Sequence, residues 1–170
     1  MLIAICRMVT GKMITINFIL RYIMLLPIKR DILYKNRTIA IQILSQTLAE
    51  TTDQKEPYFV ISIVPWNCDE AKIKESENLK DILRLSFDDT ETGKNAISSE
   101  QAEKIKDFVL FNLQKGVNSC IIHCLMGVSR SAGVGAAISK AINGEDDLFF
   151  KYYTPNMTCY RKVLNAFLEN

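Results

Sequence analysis

The segment HCLMGVSRSAG, residues 123–133, places a cysteine six residues before an arginine, with a glycine between them. A cysteine thiolate is a strong nucleophile, and a helix N-terminus or a nearby cation lowers a thiol pKa from about 8.5 to about 3.5–7.5. The planar guanidinium of arginine can hold two oxygens of a phosphate-like anion. This spacing therefore indicates covalent chemistry on a bound anion, with Cys124 as the nucleophile and Arg130 as the anion-binding side chain.

The residues on both sides of the cysteine predict a strand, a loop and a helix. The run NSCIIHC, residues 118–124, predicts a buried strand, and RSAGVGAAISKAI predicts a buried helix that ends at Asn143 and Gly144. Backbone N–H groups converge at such a junction, and the helix dipole adds positive potential there. We therefore expect the loop to bind the anion through Leu125, Met126, Gly127, Val128, Ser129 and Arg130.

Other side chains could assist this chemistry. Ser131 can donate a hydrogen bond to the cysteine sulfur and help it to leave. His123, the only histidine of the chain, should point away from the pocket because neighbours in a strand alternate, so we expect it to support the loop through backbone groups. The segment SFDDTETG supplies two candidate general acids, Asp88 and Asp89. Backbone N–H groups and Arg130 supply the charge stabilisation, so we expect no metal and no cofactor.

Strand and helix signals alternate along the rest of the chain. RTIAIQIL (37–44), EPYFVISIV (56–64) and DILRLSF (81–87) predict strands, whereas DEAKIKESENLK (69–80) predicts a solvated helix. This alternation is typical of an α/β fold with a largely parallel central sheet flanked by helices. The cysteine loop then lies outside the carboxyl end of a strand, where such sheets bind ligands.

Two more helices are marked by their ends. Ser98 or Ser99 can cap a helix, with the Ser98-to-Gln101 spacing of a capping box, and Gly116 ends it. Pro155 fits the first turn of a last helix.

The composition limits the partners and the compartment. Residues 41–170 carry 14 basic and 18 acidic side chains, so we expect no nucleic-acid partner for this mildly acidic body. The five cysteines lack metal-ligand spacing and indicate a reducing, cytoplasmic protein. Among them, Cys120 and Cys68 are expected to be packed residues.

Residues 1–30 differ from the rest because they are apolar and basic. Arg7, Lys12 and Arg21 interrupt this stretch, so no uncharged run approaches the roughly 20 residues of a membrane-spanning helix. We interpret residues 1–30 as a leader that is poorly ordered or that results from an over-extended start site, and the alternative is a basic segment at a membrane surface. Residues 31–170 are then expected to form a single domain.

The sequence resembles the cysteine-dependent protein tyrosine and dual-specificity phosphatases. HCLMGVSRSAG matches their signature HCxxGxxRSxG, LSFDDT resembles the segment that carries their general acid, and AISSEQAEKIKDF resembles their next helix. PNMTCYRKVL is similar to compact prokaryotic and phage members. The resemblance covers about residues 55–170 and assigns the acid to Asp89, with Asp88 as the alternative.

The resemblance implies hydrolysis of phosphomonoesters through a phosphocysteine intermediate, in a domain with the dual-specificity phosphatase fold. The loop between Cys124 and Arg130 carries no charge, which favours a phosphorylated protein, with phosphotyrosine, phosphoserine and phosphothreonine as substrates. The alternatives are a catalytically silent phosphate-binding module and a lipid or nucleotide phosphatase. In some related phosphatases a cysteine near the position of Cys68 forms a reversible disulfide with the nucleophile.

Overall fold

The computed structural model describes residues 6–9, 12–15, 29–34 and 37–169. The strands in these ranges are β1 (Cys6–Val9), β2 (Lys12–Thr15), β3 (Lys29–Tyr34), β4 (Arg37–Ser45), β5 (Tyr58–Val64), β6 (Leu79–Ser86) and β7 (Ser119–Cys124). The first two strands form a separate antiparallel pair, and the others form a sheet in the order β3-β4-β7-β5-β6. β4, β7, β5 and β6 are parallel, and β3 is antiparallel at the edge. The prediction of an α/β fold with a largely parallel sheet is therefore confirmed.

Five helices in the described part of the chain accompany this sheet. They are α1 (Gln46–Thr51), α2 (Ser99–Gln114), α3 (Arg130–Asn143), α4 (Asp147–Tyr152) and α5 (Met157–Leu168). None of the helices in the described part of the chain has the length and apolar composition that a bilayer crossing requires.

The strands pack on both faces because successive residues point in opposite directions. One face carries Ile61, Ile122 and Cys124, which belong to the larger core cluster together with residues of α2, α3 and α5. The other face carries Val60 and Ile121, which belong to a smaller cluster with Ala49 of α1. Such burial on both faces is usual for parallel sheets and accounts for the continuous apolar runs in the sequence.

Helix α2 forms as its end signals predict. The Ser98 hydroxyl accepts a hydrogen bond from the backbone N–H of Gln101 at 3.0 Å, and the Gln101 side chain accepts one from the backbone N–H of Ser98 at 2.9 Å. This reciprocal pair makes Ser98 the N-cap and leaves Ser99 as the first helical residue. At the other end, Gly116 adopts φ +82°, the left-handed conformation that favours glycine after a helix.

The prediction of a helix over residues 69–80 is wrong. Residues 69–78 contain no helix, and β6 begins at Leu79. Ala71 is buried and Ile73 packs against the smaller core cluster, so residues two apart face the same way, which a helix does not allow. This segment carries too few apolar residues for a helical stripe, and tertiary contacts therefore decide its path.

The last helix begins later than Pro155 predicts. Asn156 is the N-cap of α5, and its side chain accepts a hydrogen bond from the backbone N–H of Cys159 at 2.9 Å. Pro155 therefore precedes the cap. The predicted leader, residues 1–30, falls largely outside the described residues, and both its status and the domain boundary at residue 31 stay predictions.

We expect Ser98→Ala to lower the free energy of unfolding by about 1 kcal/mol, because it removes the N-cap of α2. Ser99→Ala is the matched control, since Ser99 is exposed and lies inside the helix. Urea denaturation of both variants measures the difference, and an equal loss in the two would contradict the capping assignment.

Candidate active site

Cys124 is the last residue of β7, the strand at the centre of the sheet. It lies opposite Ser45 at the end of β4, and β5 flanks β7 on the other side. The carboxyl ends of the parallel strands therefore surround the sulfur, and only 2% of the cysteine surface is exposed. A nucleophile in this position is shielded from solvent and faces the loop that follows.

The loop from Leu125 to Ser129 packs closely against the junction between β4 and α1. Gly127 has φ +70°, and a Cβ at this position would lie 2.5 Å from the carbonyl carbon of Leu44. The carbonyl of Leu125 accepts a hydrogen bond from the backbone N–H of Gln46 at 3.2 Å. Residue 127 must therefore be glycine, because both the backbone conformation and the available space exclude a side chain.

The environment of Cys124 favours its thiolate. Burial alone would raise the pKa of this thiol, but hydrogen bonds from the Ser131 hydroxyl and from the backbone N–H groups of Ser131, Gly127 and Val128 outweigh it and lower the pKa below that of an ordinary thiol. The sulfur lies 3.1 Å from Ser131 Oγ. Because these donors converge on one point, the same loop can also bind an anion.

Arg130 begins α3 and is 4% exposed. Its Nη1 donates to the carbonyl of Phe87 at 2.8 Å, which fixes the guanidinium beside the segment that follows β6. Its Nε is buried and has no hydrogen-bond partner among the described residues. A buried cationic donor without a partner is costly, so a ligand with acceptor oxygens suits this position.

The two candidate acids have different partners. Asp88 accepts hydrogen bonds from the backbone N–H of Trp66 at 2.9 Å and from Asn95 Nδ2 at 3.1 Å, so both of its oxygens hold neighbouring turns. Asp89 is exposed, and its Oδ1 accepts a hydrogen bond from Ser129 Oγ at 2.8 Å. Asp89 is thus the carboxylate in contact with the cysteine loop.

The fold matches solved phosphatase structures. The human tyrosine phosphatase-like serine/threonine/tyrosine-interacting protein superposes with a TM-score of 0.55 at 19% identity, over 74% of this chain and 89% of that chain. DUSP15 superposes with a TM-score of 0.54 at 15% identity, over 76% of this chain and 83% of that chain. PTPMT1 in complex with PI(5)P superposes with a TM-score of 0.50 at 15% identity, over 76% of this chain and 90% of that chain. The chain has the fold of the cysteine-dependent phosphatases. The sequence itself matches no protein-family model and no curated protein.

In this phosphatase fold His123 lies on the opposite face of β7 from Cys124, as strand alternation predicts. Its Nε2 lies 2.8 Å from Ser62 Oγ on β5, so its described side-chain partner is a hydroxyl of the next strand. Burial lowers the pKa of His123 to about 4, and the ring is therefore neutral at physiological pH. A neutral ring adds no charge to the loop.

The remaining residues singled out in the sequence lie either in the loop or in the strands and turns around it. The side chains of Leu125, Met126 and Val128 are at least 40% exposed and form the rim of the loop. Cys120 is buried in β7, as predicted, whereas Cys68 is exposed, contrary to the expectation that it is packed. Cys68 directly follows the turn after β5, which leaves its side chain outside both core clusters.

Two groups that shape the site were not predicted from the sequence. The Phe87 carbonyl holds Arg130, and a backbone acceptor leaves no trace in residue type. Asn156 donates from Nδ2 to Asp89 Oδ1 at 2.8 Å. The preference of asparagine for N-caps was a sequence signal for its place at the start of α5, although not for its contact with Asp89.

The neutral His123 makes stability depend on pH. In the unfolded chain its pKa is about 6.5, and burial lowers the pKa to about 4 in the folded protein. The unfolded state therefore binds more protons as the pH falls, and this residue removes about 2 kcal/mol of stability between pH 7 and pH 5.

Urea denaturation at these two pH values measures this loss. We expect His123→Gln to have a lower free energy of unfolding than the wild type at pH 7. Between pH 7 and pH 5 its free energy of unfolding should fall by about 2 kcal/mol less than that of the wild type, because glutamine does not titrate. An unchanged pH dependence in His123→Gln would contradict the assignment of a buried neutral ring.

Proposed function

We propose that this protein is a phosphatase that hydrolyses phosphomonoesters through a phosphocysteine intermediate, with proteins that carry phosphotyrosine, phosphoserine or phosphothreonine as its substrates. The observation that carries the proposal is the convergence of the Ser131 hydroxyl and loop N–H groups on the Cys124 sulfur, beside the buried guanidinium of Arg130. The likeness to phosphatase structures supports it at the level of fold.

In the first step the loop binds the phosphoryl group through backbone N–H groups, and Arg130 holds two of its oxygens. The Cys124 thiolate attacks the phosphorus while the bond to the leaving oxygen breaks. Asp89 donates its proton to that oxygen, so the products are the free alcohol or phenol and a phosphocysteine. The contact between Asp89 and Ser129 at the rim of the loop supports this role.

In the second step water attacks the phosphocysteine, and the Asp89 carboxylate accepts a proton from it. The S–P bond breaks, the sulfur leaves as a thiolate, and inorganic phosphate is released. The Ser131 hydroxyl lies 3.1 Å from the sulfur and can donate to it as negative charge returns. This contact lowers the barrier for departure because it stabilises the leaving thiolate.

The rim of the loop favours a substrate with an apolar group beside the phosphate. The side chains of Leu125, Met126 and Val128 form this rim, and Met126 is 69% exposed. The carbonyl of Val128 accepts from the backbone N–H of Thr154 at 3.2 Å, which brings the segment after Tyr152 to the same rim. An aromatic ring of phosphotyrosine fits such a surface better than a multiply charged headgroup does.

A lipid phosphatase is the second candidate because PTPMT1, which has this fold, was solved with PI(5)P. A panel of a phosphotyrosine peptide, a phosphothreonine peptide and a monophosphorylated phosphoinositide at matched concentration separates the two. Higher kcat/KM for the peptides supports the protein substrate, and higher kcat/KM for the lipid would overturn it.

The first test of the proposal is hydrolysis of para-nitrophenyl phosphate. We expect turnover by the wild type, no turnover by Cys124→Ser, and tight binding of a phosphopeptide by that variant. A folded wild type that binds phosphopeptide but has no activity would instead indicate a phosphate-binding module.

The second test separates the two carboxylates. We expect Asp89→Asn to lower kcat for a phosphotyrosine peptide by about 100-fold or more, as loss of a general acid does. Asp88→Asn is the matched control. We expect it to lower the free energy of unfolding and to change kcat much less than Asp89→Asn does, because Asp88 holds the turns of Trp66 and Asn95. The reverse order of the two losses would assign the acid to Asp88.

The third test concerns Ser131, whose hydroxyl is the strongest of the groups that lower the pKa of Cys124. In Ser131→Ala the thiol pKa rises, so we expect the rising limb of kcat/KM to move to higher pH. The rate of Cys124 alkylation by iodoacetamide as a function of pH gives the same shift independently of turnover. A limb that stays in place would contradict the role of this hydroxyl.

A further inference from the structure

We propose that Asn156 is a positioning residue for Asp89, and that it selects which carboxylate oxygen carries the catalytic proton. This inference rests on the proposed function, since it assigns a task within the same reaction. It derives from residues 154–158, a segment that we name the clasp. The clasp binds both the cysteine loop (residues 125–129) and the segment after β6 that carries Asp89 (residues 87–91), which we name the acid loop.

The clasp holds the cysteine loop through two backbone hydrogen bonds. The Thr154 N–H donates to the carbonyl of Val128 at 3.2 Å, and the Asn156 N–H donates to the carbonyl of Ser129 at 3.1 Å. Both acceptors lie between Gly127 and Arg130, in the part of the loop that turns into α3. The clasp therefore sets the position of the loop backbone and not only of one side chain.

The clasp holds the acid loop through two side chains. Asn156 Nδ2 donates to Asp89 Oδ1 at 2.8 Å, and Thr158 Oγ1 donates to the carbonyl of Glu91 at 2.8 Å. Two residues of the acid loop are thus fixed by residues two apart in the clasp. The clasp therefore adds to the direct contacts Ser129–Asp89 and Arg130–Phe87 in setting the distance between Cys124 and Asp89.

The orientation of the Asn156 amide is determined by its other contacts. Its Oδ1 accepts from the Cys159 N–H at 2.9 Å as the N-cap of α5, so its Nδ2 is the atom that faces Asp89. Asn156 is only 7% exposed. Gly133 of α3 packs against it so closely that a Cβ there would lie 2.5 Å from the Asn156 carbonyl oxygen. The amide is thus held by hydrogen bonds at both ends, and the backbone of Asn156 is packed against Gly133.

These contacts distinguish the two oxygens of Asp89. Oδ1 accepts from both Ser129 Oγ and Asn156 Nδ2 at 2.8 Å. Oδ2 accepts from no group in the described part of the chain. An oxygen that already accepts two hydrogen bonds is a poor site for a proton, so the proton resides on Oδ2. The two hydrogen bonds to Oδ1 fix the orientation of the carboxyl group and therefore the direction in which Oδ2 points.

Loss of Asn156 should therefore affect proton donation more than phosphate binding. A general acid matters most when the leaving group is a strong base, such as a phenolate, whose conjugate acid has a pKa of about 10 as in tyrosine. It matters much less for nitrophenolate, which is a far weaker base. The ratio of kcat/KM for para-nitrophenyl phosphate to that for phenyl phosphate thus reports on the acid alone.

The decisive variant is Asn156→Ser, because serine still caps a helix but cannot reach Asp89 with an amide. We expect this variant to raise the substrate ratio by roughly tenfold, mainly through lower kcat on phenyl phosphate. Asn156→Asp also keeps the cap, and we expect at least as large a rise, since a carboxylate replaces the donor. Val163→Ala, at a buried residue about two turns after Asn156 along α5, is the control for general destabilisation and should leave the ratio unchanged.

A double variant completes the test. If Asn156 acts through Asp89, Asn156→Ser should cost little further rate on phenyl phosphate once Asp89→Asn is present. Equal losses of both substrates in Asn156→Ser, or fully additive losses in the double variant, would overturn the inference. Failure of the proposed function looks different: the wild type would hydrolyse neither substrate, or Cys124→Ser would remain active.

Discussion

Stabilisation of a negative charge on the buried Cys124 sulfur is the constraint on which the geometry of this site depends. Burial opposes ionisation of Cys124, so the thiolate exists only if enough donors replace the lost water. Residues 127–131 supply these donors from backbone N–H groups and one hydroxyl. This arrangement requires Gly127 to approach Leu44 without a side chain and α3 to begin at Arg130. The small residues of the signature follow from this need.

The same charge explains why the two loops are tied to each other. In the proposed reaction the segment after β6 brings the Asp89 carboxylate near the leaving group without moving the cysteine loop. Arg130 binds the Phe87 carbonyl, and Ser129 binds Asp89, so each loop supplies a partner to the other. The clasp adds a third element that binds both loops. Groups held in this way do not need to reorganise during the reaction, which is the main source of electrostatic catalysis.

Local signals explain which parts of the fold and of the candidate site could be predicted from the sequence. The strand, loop and helix around Cys124 and the capping box at Ser98 depend on neighbours within a few residues, and both were predicted. Residues 69–78 were misassigned because contacts of Ala71 and Ile73 with distant parts of the chain decide their path. Asn156 meets Asp89 across 67 positions, and residue types at that separation reveal nothing about contact.

The charge of the site also limits what can bind beside the phosphate. In the proposed function Arg130 and the loop N–H groups bind one dianion, and residues 125–129 add no cation of their own. A second phosphate on the substrate would need cations outside the loop. The rim instead presents Leu125, Met126 and Val128 to solvent. Exposed apolar side chains around a dianion site favour a ligand with one phosphate on an apolar or aromatic group, because each part then meets a surface of matching polarity.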